Sequence, residues 1–137
     1  MPPPASTSAR AKQLIADAQD LFSAMPSHKI FDRSWSPHAI FEDPICYATG
    51  ARQYKAQWWG MPAAFSKSEL LAWHVVKDEP NEVQYVQRQR YHVKGIGTQK
   101  EMLSTVVMKL DSQGKIIHFE DRWNHQPMPS SLFYVSL

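Results

Sequence analysis

The chain has one cysteine, five glycines and no apolar run close to the roughly 20 residues that cross a bilayer. The single thiol, Cys46, excludes an intramolecular disulfide, and no Cys/His cluster has the spacing of a structural zinc site. Stability must therefore come from an apolar core. The first eight residues carry neither a basic nor an apolar leader pattern, so a cytoplasmic protein is expected. Charge of one sign is lacking too: 15 Lys and Arg face 13 Asp and Glu, interspersed, for a net +2. No basic stripe exists for nucleic acid and no amphipathic basic segment for a membrane, although residues 88–100 are locally basic.

What the sequence does have is aromatic residues, 12% including five tryptophans, in a length that suits one domain. The prolines and small polar residues of 1–9 read as a disordered tail, 10–126 as the domain, and 127–137 as a C-terminal extension. Ala11, Leu14, Ile15, Ala18, Leu21, Phe22 and Met25 recur at helical steps and predict a first helix over 10–25, ended by Pro26. Ser27 caps a short second helix that buries Ile30, Phe31, Ser34 and Trp35. A short strand over 39–43 stops at Pro44, with 45–48 continuing on an edge. Thr49-Gly50 opens a third helix, in which Tyr54, Trp58 and Met61 share a face until Pro62.

The period then changes to two, predicting strands over 70–77, 83–93, 101–110 and 115–124 separated by marked turns. Strands joined by short turns form an antiparallel meander. Helices first and a meander after define an α+β domain in which about three N-terminal helices cover one face of a curved antiparallel sheet.

This element order, with Phe41-Glu42-Asp43-Pro44, with Gly50 seven residues after Asp43, and with Asp111-Ser112-Gln113-Gly114-Lys115-Ile116 leading to Trp123, resembles the nuclear transport factor two-like superfamily and its SnoaL-like branch over residues 10–124. The resemblance implies a cone-shaped α+β fold (cystatin-like) around a ligand pocket, no cofactor, and a homodimer through the convex sheet face. Its activities span isomerases, polyketide cyclases, dehydratases and epoxide hydrolases, beside proteins that only bind. By the same resemblance Asp43 stands where bacterial ketosteroid isomerases carry their general base, and Trp123 where they carry a pocket tryptophan. Their two oxyanion donors fall at Val106 and at Leu21 or Phe22, neither of which can donate. Steroid isomerisation by that route is not expected.

Among the residues themselves, Asp43 at a strand end near Phe41, Trp35 and Trp58 is either a desolvated base or an ordinary turn former. Ile117, Phe119, Asp121 and Trp123 alternate onto one face, making Asp121 either an acid partner for Asp43 or an anchor for an arginine. Gln87 and Gln89 interrupt the Val83, Tyr85, Tyr91, Val93 stripe and are candidates for orienting ligand oxygens, as Trp35, Tyr54, Trp58 and Trp123 are for lining a pocket. The opposite face, with Val86, Arg88, Arg90 and His92, is the expected dimer face. His74, between Trp73 and Val75, is the histidine best placed for acid–base work, with a half-exposed strand position as its alternative. No histidine pair with a carboxylate shows metal spacing, so no metal is expected. Two functions follow: a cofactor-free isomerase, cyclase or dehydratase acting on a small apolar or aromatic molecule, or a non-catalytic binding or dimerisation module of the same fold.

Overall fold

A computed structural model of the chain describes residues 3–124 and the backbone of 135–136. Helix α1 (Ala9–Phe22) buries the expected stripe of Ala11, Leu14, Ile15, Ala18, Leu21 and Phe22. Met25 lies beyond it and is exposed, because Ala24 turns the backbone left-handed at φ 62°. The end of the supposed tail is anchored: the Ser8 hydroxyl accepts from the Ala11 amide, while its own amide and hydroxyl donate to Asp78, at 2.7 and 2.8 Å. A capping serine tied to a strand explains why residues 7 and 8 are not free.

Helix α2 (His28–Ser34), capped by Ser27, is joined to α1 by a buried ionic cluster. Asp17, almost fully buried, accepts from both Arg33 Nε at 2.9 Å and Arg33 Nη2, from Ser34 Oγ at 2.6 Å and from Gln13 Nε2 at 3.0 Å. Trp35 does not belong to this helix; it opens β1 (Trp35–Asp43), which turns at Pro44 and Ile45 into β2 (Cys46–Thr49). Gly50, at φ 80°, starts α3 (Gly50–Trp59), and after Gly60 a single turn, α4 (Met61–Ala64), carries Pro62 near its start.

The meander is β3 (Phe65–Glu79), β4 (Glu82–Val93), β5 (Gln99–Leu110) and β6 (Ile116–Trp123), each antiparallel to the next. β3 is five residues longer at its start than alternation suggested, with one register shift in that added stretch, at Phe65/Lys67, and two more further along the strand. Such bulges add twist and bend a sheet. Strand order is β3-β4-β5-β6-β1-β2-β7, with β7 only Val135–Ser136 beside β2. Chain order did not disclose one pairing: β1 lies parallel to β6, with Phe41 opposite Phe119 and Glu42 opposite Glu120.

The core fills the wedge between helices and sheet. Trp35 stacks on Phe119 at 5.0 Å and packs on Tyr54 at 4.6 Å, while Trp58 meets Phe22 and Phe41 edge-on, each at 5.1 Å. The outer face, where the sequence places a subunit contact, exposes Arg88, Leu103 and Val76. No helix among the described residues is long and apolar enough to cross a membrane.

Candidate functional site

One end of the wedge is left open as a cavity of about 320 Å3 between α3, α4 and the ends of β1, β4, β5 and β6. That volume reaches the range of small-molecule sites. Its walls are Phe22, Phe41, Trp58, Phe65, Met102 and Trp123, with Ile45 and Lys100, both exposed, at the mouth. Four lining residues carry functional polar groups inside this apolar surround: Asp43, Asp121, Tyr91 and Gln57.

The pairing that the chain order hid also builds the acid pair. Because β1 runs parallel to β6 with Glu42 opposite Glu120, the next residues on, Asp43 and Asp121, both turn inward to the cavity. Their environments differ. Asp43 is half-buried and its Oδ1 accepts from the Ile45 amide at 2.9 Å, so it is a turn former and a cavity residue at once. Burial raises its pKa, while the backbone amides of Ile45 and Cys46 pull it back. Asp121 is 6% exposed. Burial pushes its pKa up to about 7, helped by the Asp43 charge and opposed by the Ser104 hydroxyl and the Trp123 indole. The Trp123 Nε1–H donates to its Oδ2 at 3.1 Å, and its Oδ1 has no hydrogen-bond partner among the described residues. Tyr91 packs on Phe65 at 5.0 Å, and burial with two carboxylates nearby raises its phenol well above the ordinary value, keeping it a neutral donor.

A pH dependence follows for folding. Asp121 binds its proton in the folded state up to about pH 7 but releases it near 3.8 when unfolded. Its contribution to stability is full below the unfolded value and is lost as pH rises through about 7. Urea midpoints of the wild type should fall between pH 5 and pH 8, and Asp121→Asn should flatten that decline. An equal slope in the variant would show that the carboxyl is not protonated in the fold.

Other expected site residues lie elsewhere. His74 is exposed on the outer face of β3, in a shallow groove with Ala72 and Arg88, because it alternates with the inward Trp73 and Val75; it takes no part in the cavity. Trp35 and Tyr54 are wholly within the core, with the Tyr54 hydroxyl donating to the Ser36 carbonyl at 3.2 Å. Gln87 and Gln89 point inward and are buried, Gln89 beneath the end of α1. The Tyr85 hydroxyl donates to Gln87 Oε1 at 3.0 Å, and Gln89 Nε2 donates to Ser68 Oγ at 2.9 Å and reaches the Phe22 carbonyl at the end of the helix. Gln89 braces the end of the helix and Gln87 bonds within its own strand, and neither lines the cavity. Ile117 also leaves its predicted face: a bulge pairs Ile116 with Leu110 and His118 with Lys109, so Ile117 is exposed while Phe119, Asp121 and Trp123 stay inside.

Tyr91 was missed as a site residue although it lies on the same stripe as Gln87 and Gln89, farther toward the open end. Gln57, Phe65 and Lys100 come from segments whose approach to the cavity only the folded sheet reveals.

The fold is the nuclear transport factor two-like α+β cone. No protein-family model matches the sequence, and no curated protein matches it. Among solved structures, a protein from Jannaschia sp. CCS1 provisionally described as a SnoaL-like polyketide cyclase is similar at TM-score 0.66 and 15% identity, over 87% of this chain and 90% of that one. A protein from Bacillus subtilis provisionally described as an isomerase gives 0.68 and 16%, over 85% and 90%. A protein of ketosteroid isomerase-like fold from Catenulispora acidiphila, in complex with trimethylamine, gives 0.66 and 12%, over 92% and 90%. These neighbours are of the kinds that the Phe41 to Pro44 and Asp111 to Ile116 stretches resemble. At such identities the likeness is one of fold.

Proposed function

We propose that the protein catalyses cofactor-free proton transfer on a small, neutral, largely apolar carbonyl compound, as an isomerase, cyclase or dehydratase. The observation that carries this reading is one apolar cavity faced by two carboxyls with unlike surroundings. Asp43, held by backbone amides, is the base: its carboxylate takes a proton from the carbon beside the carbonyl. Asp121 in its protonated form and the Tyr91 hydroxyl donate hydrogen bonds to the oxygen on which charge develops. Asp43, now protonated, returns the proton to a second carbon in an isomerisation, to the new alkoxide oxygen in a cyclisation, or to a hydroxyl that leaves as water in a dehydration, and each closes the cycle without a redox step. Two carboxyls disfavour an anionic substrate.

The test needs no known substrate. A panel of aliphatic and aromatic ketones and β-keto esters is incubated with the protein in D2O, and loss of the carbonyl-adjacent proton signal is followed by NMR. Accelerated exchange on at least one member is expected; binding without exchange across the panel would refute catalysis.

A second reading rests on the same walls. Carboxylates within aromatic faces also suit an ammonium ligand, and the Catenulispora neighbour carries trimethylamine. On that reading the protein binds without turnover, and in the same panel an alkylammonium ion shifts Trp123 fluorescence while no ketone exchanges.

A further inference from the structure

The outer face of the β1–β6 seam holds a second cluster that the proposed chemistry does not use. Glu42 and Glu120 are opposite one another in the parallel register, and His118, two residues before Glu120, shares their face. These three turn away from the cavity, since Phe41, Asp43 and Asp121 turn toward it. His118 Nε2 lies 2.5 Å from Glu42 Oε1 and 3.6 Å from Glu120 Oε1. One donor atom from each residue lies within 4.8 Å of the other two.

Two features set this cluster apart from an ordinary surface ion pair. Both glutamates are 7% exposed and stand opposite one another in the strand pairing, so their carboxylates depend on cationic or hydrogen-bonding partners rather than on bulk water. Arg122 binds Glu120 at Oε2, through Nε at 2.7 Å and Nη2 at 2.6 Å, which fixes that carboxylate and leaves its Oε1 turned to the histidine. An outer partner holding a ligating carboxylate in place is the arrangement that supports metal sites. His118 is partly exposed, which gives an ion a way in and leaves room for water ligands.

We propose that Glu42, His118 and Glu120 bind one first-row divalent metal ion, of the zinc or cobalt type, which clamps β1 to β6. One imidazole nitrogen with two carboxylate oxygens is a donor set for such ions rather than for calcium or magnesium. The clamp is structural and is separate from the cavity, so it stands or falls independently of the proton-transfer reading.

The probe is Co2+ added to the chelator-treated full chain. We expect one equivalent to be taken up with visible d–d absorption, and Zn2+ to displace it and raise the melting temperature by several degrees. His118→Ala and Glu42→Gln should each reduce affinity at least tenfold; the glutamine keeps a hydrogen-bond acceptor for His118, so that variant tests the site even where His118→Ala folds poorly. His92→Ala removes the separate His92 and Glu69 pair and should bind as wild type. Absence of uptake at 100 µM (a binding free energy weaker than about 5.5 kcal/mol on the Kd scale) overturns the proposal, as does uptake unchanged in Glu42→Gln.

Discussion

Asp43→Asn is expected to slow carbonyl-adjacent proton exchange by a factor of about 10²–10⁴, the range over which positioned general bases act. The amide keeps an oxygen for the Ile45 N–H, so the turn at Pro44 survives and the unfolding midpoint should be unchanged or higher. Relief of a desolvated charge favours the second outcome. Rate and stability therefore separate in this variant. The wild-type rate should also decline above about pH 7 as Asp121 loses the proton with which it donates. Exchange that is equally fast in Asp43→Asn would remove the base from the mechanism.

For stability, the largest single loss outside the aromatic core is expected at Asp17. Asp17→Ala strips partners from Gln13, Arg33 and the fully buried Ser34 at once. The cost should be about 3 kcal/mol, taken from buried hydrogen-bonded charges and reduced because Arg33 is partly open to water. A fall in Tm of roughly 10 °C corresponds to that loss in a chain of this size. Arg33→Met should cost a comparable amount by leaving Asp17 buried without its cation. Because both changes break one cluster, the double variant should lose much less than the sum. Additive losses, or a change below about 1 kcal/mol for Asp17→Ala, would mean that the cluster does not join α1 to α2.

Much of this was legible in the order of residues. The stripe of α1, the serine at position 27 and the turns at Gly95, Gly97 and Gly114 mark elements through short-range rules, and the meander follows from them. Asp43, Asp121, Trp58 and Trp123 could be nominated because strand alternation fixes which side chains share a face. The same rule, by which neighbours of inward residues point out, puts His74 on the outer face, the strand position that was its alternative reading. Gln87 and Gln89 do face inward, but alternation does not reveal what closes over them: the end of α1 over Gln89, and the Tyr85 hydroxyl on Gln87. The metal-binding cluster was invisible for a different reason: its ligands are not close in sequence, and only the parallel pairing of two distant strands assembles them.

That seam has a consequence for how the molecule is made. It joins positions 76 apart in the chain, as His118 and Glu42 show, whereas the meander closes through near neighbours. Contacts of long reach carry a larger entropic penalty for loop closure. The Asp43 and Asp121 pair on its inner side and the Glu42, His118 and Glu120 cluster on its outer side both come into being at that one zipper. A chain whose first strand has not yet docked holds neither, so ligand and metal alike reward the same final closure.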